Sequence, residues 1–554
     1  MRPPTDFRGQ FRADAEARAV YAEAAGIARE TPLAVAVPAD AEDVAPLMRW
    51  ATATGTPLVP RGSGSSMAGG AIGPGVVVDL SRLDAIGAVD VAARRVRVGP
   101  GAVYAAVDGA ARRQRLRFPP DPSSGAFCTV GGMASTNAAG AHTMRYGATR
   151  PWIVALDCVF ADGSRAELRR GSPPPRGVPS VDSFLTDVRD DLLAHERERP
   201  SVHEGVRKDS SGYGLADYAR TGELVDLVVG SEGTLAIIVG LELALAPVPG
   251  ATSSALAAFP TLEQAVAAAI DAREAGASAC ELLDRTFLDV VASAAGVGGA
   301  GGAADAGGPE IPAGSEAVLL AEVEGEDLAD AGRRASALAH VFERAGASAV
   351  TVALDDVSEP ALWELRHAAS PVLARLDPAL KSMQFIEDGA VPPERLPDYV
   401  RGVREALERR GVRGVIFGHA GDSHVHVNPL VDVSRDDWRA VVAGLFDDVV
   451  ALTARLGGTL TGEHGDGRLR TPRLDAVWPA ETRDLHARVK RAFDPAGILN
   501  PGVIVALPGQ RSLGDVKYDP ELPAPPPAAR AVLQRVERDR AYASFRLAML
   551  DEAR

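Results

Sequence analysis

Two histidine-rich runs late in the chain carry the residue types that bind a divalent cation. The first, GHAGDSHVHVN (Gly418–Asn428), places His419, His424 and His426 just after the apolar stretch Gly414–Phe417. The second, GGTLTGEHGDGRLR (Gly457–Arg470), contains adjacent Glu463 and His464. Several imidazoles and a carboxylate are the donor set expected for zinc or a similar ion. If their segment is extended, His424 and His426 share a face, because side chains alternate along a strand. A surface patch of histidines has the same composition, so one run alone leaves that reading open.

Three earlier runs suit a phosphate-bearing cofactor. VPRGSGSSMAGGA (Val59–Ala71) supplies Gly62, Gly64, Gly69 and Gly70 for tight turns and Ser63, Ser65 and Ser66 as hydroxyl donors. Consecutive backbone amides in such a loop form a nest for a pyrophosphate. No Gly-Lys-Ser/Thr follows, so this is not a Walker loop. The other two are FPPDPSSGAFCTVGGMASTNAAGAHTMRYGATR (Phe118–Arg150) and VVGSEGTLAII (Val228–Ile238). In order and spacing the three resemble the FAD-binding domain of the vanillyl-alcohol-oxidase/p-cresol-methylhydroxylase (PCMH) type, within the D-2-hydroxy-acid dehydrogenases of the FAD-linked oxidase family. The resemblance covers residues 30–505.

That resemblance implies an α+β fold. A PCMH-type, two-subdomain FAD-binding domain would span 31–249 and an α+β, ferredoxin-like substrate and metal domain 250–505. A short segment (1–30) precedes them and a tail with a helix (506–554) follows. It implies that Arg61, Gly62, Ser63, Gly64, Ser65 and Ser66 hold the FAD pyrophosphate, and that Gly131, Gly132, Ser135, Asn137 and Gly140 approach the flavin and its ribityl chain. Glu232, Gly233, Ile237 and Asn500 fall where the family contacts the remainder of FAD. Covalently flavinylated relatives carry histidine where this chain has Ser65, so noncovalent FAD is expected, with Cys128 a buried structural cysteine.

By the same resemblance His419, His426 and Glu463 ligate a divalent metal such as zinc, and His464 is the general base. His424 is an outer residue, while Asn428 contacts substrate. Arg366, in ALWELRHAAS (Ala361–Ser370), grips the substrate carboxylate with Ser370 in support. Some 2-hydroxyglutarate dehydrogenases have a lysine where MQFIEDGAVPPERL (Met383–Leu396) has Ile386. A small monoacid, lactate- or glycolate-like, is therefore favoured over 2-hydroxyglutarate. The expected reaction oxidises a D-2-hydroxy acid to its 2-oxo acid, with the hydroxyl proton going to His464 and hydride to flavin N5. The alternatives are an oxygen-using oxidase and a noncatalytic FAD-binding subunit of a glycolate-oxidase-like complex. The retained His and Glu residues argue against the second.

Longer relatives carry an iron–sulfur domain after an LNPG motif, whereas AFDPAGILNPG (Ala492–Gly502) precedes a cysteine-free tail here. Electrons are thus expected to pass to a separate acceptor: an electron-transfer flavoprotein, a quinone-linked partner or an iron–sulfur subunit. Cys128, Cys158 and Cys280 are too few and too scattered for a disulfide framework or an ordinary cluster. A net charge of −15 argues against a nucleic-acid partner. No signal peptide or membrane-spanning run is present in the sequence, so a cytoplasmic enzyme is expected, with a homodimer left open.

The 554 residues exceed one hydrophobic core, so several domains must position these runs. Strands are expected at Gly75–Leu80, Arg94–Gly101 and Leu224–Gly233, with a helix at Ala39–Ala53. Later, helix Leu262–Ala275, strand Ala317–Glu324 and helix Ala329–Ala345 alternate. Gly296–Gly314 reads as a mobile surface loop and Ala528–Glu552 as one helix. Lysine is scarce beside arginine: Lys208, Lys381, Lys490 and Lys517.

Overall fold

The computed structural model describes residues 2–294, 311–355, 358–367 and 379–554. Helices and strands are mixed throughout. In the first sheet Ala34–Val37 and Leu58–Arg61 both pair in parallel with Val76–Asp79, and Gln10–Arg12 adds antiparallel at the edge. Runs of alanine and valine suit parallel strands covered on both faces. Ala34, Ala36, Val76 and Val78 pack on Leu47, Met48 and Ala51 of the helix Val44–Thr54. Val35, Val37, Val59 and Val77 pack instead on Val532, Val536 and Leu550 of the tail. The tail therefore completes the core beneath the Gly62–Ser66 loop.

The second sheet is antiparallel, in the order Arg95–Val98, Ile237–Ala244, Ile153–Val159, Arg165–Arg169. The third has seven antiparallel strands: Ala349–Val352, Ala251–Phe259, Ala317–Gly325, Ala279–Asp284, Arg413–Gly418, His426–Asp432 and Leu380–Ser382. Its first four strands, with the helices Leu262–Glu274 and Leu328–Arg344, follow the ferredoxin-like pattern of spatial order 4-1-3-2. Those helices, with Leu396–Arg409 and Trp438–Arg455, bury one face of the sheet. The opposite face carries Glu281 and Phe417, and His426 and Asn428 share a face by alternation.

Two expectations are corrected. Leu224–Gly233 is not a strand: Leu224–Val228 forms a short helix, all five residues buried, followed by a turn. A short apolar run fits a buried helix as well as a strand, and periodicity alone does not separate them. The tail forms two helices, Pro527–Asp539 and Arg546–Glu552, broken at Arg540 with φ 52°. Most of Gly296–Gly314 lies outside the described residues. Among described residues no helix is long and apolar enough to cross a membrane.

Candidate functional site

A cleft with about 1220 Å³ of unfilled space opens beside the loop that follows Leu58–Arg61. Gly62, Ser63, Gly64, Ser65, Ser66, Gly131, Gly132, Ser135, Glu232 and Gly233 line it, with Glu463 and His464. A Cβ on Gly62 would sit 2.1 Å from Thr129 Oγ1, so glycine is needed where this loop meets the helix Val130–Thr136. Gly64 takes φ 75°, open to glycine at little cost. Ser66 Oγ is buried without a hydrogen-bond partner. An unsatisfied hydroxyl in a glycine-rich loop is the chemistry that a pyrophosphate completes, so the cleft fits FAD.

Arg61 lines the cleft as well, with its guanidinium committed to the carbonyl oxygens of Tyr21, Ala71 and Glu23. Other expected cofactor residues brace the cleft from behind. Asn500 Nδ2 donates to Gly70 O (2.9 Å) and Glu232 O (2.7 Å). Asn137 Oδ1 accepts from Arg150 N (2.8 Å). Asn137, Gly140, Ile237 and Asn500 are not among the lining residues, and Ile237 belongs to the core of the first sheet. Glu232, at φ 51°, accepts from the amides of Asp466 (2.7 Å) and Gly467 (3.1 Å), joining the cleft to the GEHGDG loop. Burial and the neighbouring Asp466 push its carboxyl up to about 8.

Cys128 also lines the cleft, and burial pushes its thiol up to about 11, far from the thiolate needed for attack. Bound flavin should therefore be extractable. Acid precipitation is expected to release the yellow colour into the supernatant, and colour retained in the pellet would redirect attention to Cys128.

The hairpin of Arg413–Gly418 and His426–Asp432 pairs Phe417 with His426. At its tip, a 3-10 turn over Ala420–Asp422 and Ser423 at φ 59° return the chain. His419 and His424 thereby reach His426, with ring centroids 5.3 and 4.8 Å away. Glu463 Oε1 then lies 3.4, 3.2 and 3.6 Å from Nε2 of His419, His426 and His464.

The opposite ring nitrogens are anchored. His419 Nδ1 meets Glu281 Oε1 (2.5 Å), His426 Nδ1 donates to Glu387 O (2.7 Å), and His464 Nδ1 meets Glu387 Oε1 (3.2 Å). Such outer partners turn Nε2 lone pairs toward a cation. His424 Nε2 is held by Asp388 Oδ1 (2.9 Å), leaving Nδ1 buried and unpartnered. The ligand atoms of His419, His424, His426 and Glu463 lie within 4.8 Å of one another, so geometry adds His424, expected as an outer residue, to the candidate ligands. Asp388, His426, Glu463 and His464 form an overlapping group.

Electrostatics favour His426 and Glu463 as ligands, whereas His419 must lose a proton to join them. Burial lowers the pKa of His426 and keeps it neutral. Burial alone would raise that of Glu463, but the Lys208 ammonium together with His419 and His426 outweighs it and holds the carboxyl well below its ordinary range. Burial opposes charge on His419, yet the Glu281 carboxylate prevails and raises its pKa to about 9. A neutral imidazole, an anionic carboxylate and an unpartnered buried nitrogen fit a divalent cation.

Arg366 lies in the helix Ser358–His367, its Nε 2.7 Å from Glu281 Oε2 and its guanidinium 5.0 Å from the Phe417 ring centroid. It is linked through Glu281 to His419 and already has a carboxylate partner. Asn428 shares the strand face of His426. Ile386 is buried in the core with Phe385 and Tyr399. Ser370 lies outside the described residues.

Sequence reasoning missed the segment that straps the two halves together. Lys208 is 2% exposed, with Nζ 2.6 Å from Glu463 Oε2. Asp209 Oδ1 accepts from Thr459 Oγ1 (2.9 Å), Ser210 N donates to Thr461 O (3.0 Å), and Gly212 N to Asp466 Oδ2 (2.8 Å). Glu281, Glu387 and Asp388 were also missed. Asp388 accepts from His464 N (2.9 Å), and Glu387 pairs with Arg470. The available signals were a rare lysine beside Asp-Ser-Ser-Gly and the adjacent acids of the FIEDG run.

Two family models match the chain: an FAD binding domain over residues 32–169 and the C-terminal domain of FAD linked oxidases over residues 248–504. Glycolate oxidase subunit GlcD of Bacillus subtilis is 28% identical, over 86% of this chain and 89% of its own length. D-lactate dehydrogenase of Archaeoglobus fulgidus is 28% identical, over 85% and 91%. D-2-hydroxyglutarate dehydrogenase of Pseudomonas putida is 30% identical over 90% of this chain, which spans only 50% of that protein. Among solved structures, 4-ethylphenol oxidase from Gulosibacter chungangensis aligns with a TM-score of 0.66 at 16% identity, covering 90% of this chain and 94% of its own. p-Cresol methylhydroxylase aligns at 0.65 and 14%, with the same coverage. At such identities the likeness is one of fold.

Proposed function

The chain belongs to the FAD-linked oxidase family and is an FAD-linked oxidoreductase, and from that premise we propose that it oxidises a small D-2-hydroxy acid to the 2-oxo acid. One observation carries the reading: Glu463 and His464 line the cleft and also belong to the His/Glu cluster. A substrate held at the cluster therefore borders the occupant of the cleft. In this reading residues 31–249 bind FAD and residues 250–505 supply the substrate and metal site.

The cleft would hold FAD, whose chemistry is hydride acceptance, and His419, His426 and Glu463 would hold a divalent cation, whose chemistry is to acidify and orient a hydroxyl. His464 takes the hydroxyl proton at Nε2, because Nδ1 is anchored on Glu387. Arg366 and Asn428 orient the carboxylate end, with Glu281 fixing the Arg366 side chain.

Burial alone would lower the pKa of His464, but the Asp388 and Glu387 carboxylates outweigh it and raise the group above 6.5. A base acts only after losing its proton, so kcat/KM is expected to rise with pH through a limb above 6.5. Glu387→Gln should move that limb downward. A pH–rate profile flat from about 5.5 to 9 would remove His464 from the base role.

A monoacid is preferred in this reading because Ile386 is buried and apolar where a second cation would be needed. Specificity constants for D-lactate and D-2-hydroxyglutarate test it. A hundredfold preference for the diacid, about 2.7 kcal/mol of transition-state binding, would reverse the assignment. Electrons then leave to a separate acceptor, such as an electron-transfer flavoprotein or a quinone-linked partner.

A further inference from the structure

Glu463 offers its two oxygens to different partners. Oε1 faces Nε2 of His419 and His426, whereas Oε2 lies 2.6 Å from Lys208 Nζ. Lys208 comes from the flavin-binding half and is almost fully buried. Its Nζ also donates to Gly140 O at 3.3 Å, next to Ala138 and Ala139 on the cleft wall. Among described residues Glu463 is the one carboxylate within 4 Å of this ammonium. A buried cation is costly to desolvate, and close, well-directed partners are needed to offset that cost.

Its neighbours hold it in place from both sides. Arg207 Nη1 donates to Gly421 O (3.3 Å) at the tip of the histidine hairpin. Asp209 and Ser210 bond the Thr459–Thr461 segment just before Glu463. Lys208 is thus a fixed charge between Gly140, beside the cleft wall, and the cluster.

We propose that Lys208 is a positioning residue that keeps Glu463 a one-oxygen ligand of the cation and couples the cluster to the Ala138–Gly140 side of the cleft. The proposal rests on the metal reading above. A carboxylate can ligate a cation with one oxygen or two, and a catalytic site keeps a coordination position open for substrate. Glu463 Oε2 makes no hydrogen bond, and its ion pair with Lys208 Nζ at 2.6 Å competes with the cation for that oxygen. Its charge also opposes the cation while favouring an anionic substrate, so metal affinity is lowered and substrate affinity raised.

The test uses the FAD-loaded full chain, stripped of metal and titrated with Co²⁺, in wild type, Lys208→Met and Lys208→Gln. Both variants are expected to bind Co²⁺ about tenfold more tightly. The visible cobalt bands of Lys208→Met, which removes the donor as well as the charge, should be weaker than those of wild type, as coordination increases when Oε2 is released. Both should bind oxalate, a chelating dianion, about tenfold less well. A lysine that merely stabilised the loop would give the opposite sign for cobalt. Equal or weaker Co²⁺ binding by a variant that retains FAD and its melting temperature overturns the assignment of Lys208 and leaves the metal site standing. A wild-type protein that binds no Co²⁺ overturns the metal reading and this proposal with it. Should Lys208→Met not fold, Lys208→Gln carries the cobalt and oxalate affinity outcomes, because it keeps a donor near Glu463 and Gly140 while removing the charge.

Discussion

His426→Ala is expected to abolish metal binding and substrate-driven flavin reduction while leaving FAD fully bound. His426 is central to the cluster: its Nε2 is 3.2 Å from Glu463 Oε1, and Nδ1 is fixed by Glu387 O. Burial keeps the ring neutral, so it can donate a lone pair. Without it, two of the three assigned protein ligands remain, His419 and Glu463. Losing the cation removes several kcal/mol of stabilisation of the developing charge, a rate loss on the order of a thousandfold. FAD should stay because most of the cleft wall comes from residues before Ile238, and His426 is not part of it. Metal analysis, flavin absorbance and stopped-flow reduction separate these effects. Full activity in a metal-free preparation would contradict the assignment.

His464→Ala is expected to keep both metal and FAD yet slow flavin reduction on the order of a hundredfold or more. The loop does not depend on the imidazole, because the His464 amide, which the substitution retains, donates to Asp388 Oδ2. Glu463 keeps its contacts with His419, His426 and Lys208. The limb of the pH–rate profile assigned to His464 should vanish with the side chain. A variant that loses metal in proportion to rate would make His464 a ligand, as its place in the second candidate group allows, and would leave the base unidentified.

Much of this arrangement is legible in the sequence where residue type alone dictates the chemistry. Glycine at Gly62 and Gly64 reflects a close approach and a positive φ, and both positions lie on the cleft. The His and Glu types of the two late runs announce a donor set. What brings them together is less visible. His419 and His424 depend on a hairpin tip with Ser423 in the left-handed region, which no periodicity reports. The Lys208–Glu463 pair joins positions too far apart in the chain for any local pattern to connect.

The lysines illustrate a signal that was present and unread. In a chain that nearly always uses arginine, Lys490 donates to Thr234 O, Leu499 O and Asp494, and Lys517 to Ala24 O and Ala25 O. Lys208 has Glu463 and Gly140 O. These sites use a compact ammonium with rotatable donors, which a planar guanidinium does not imitate. The misread run Leu224–Gly233 failed for another reason: five consecutive buried residues carry no periodicity to read.

The central claim is that the cleft and the cluster act together on a 2-hydroxy acid. Anaerobic titration of the FAD-loaded protein with matched D- and L-2-hydroxy acids, followed by flavin absorbance, tests it most directly. The account predicts that a small D-2-hydroxy acid bleaches the flavin, that its L-enantiomer does so far more slowly, and that His426→Ala stays yellow with both. A flavin that remains oxidised with every hydroxy acid tried, in protein with FAD and metal bound, would contradict it.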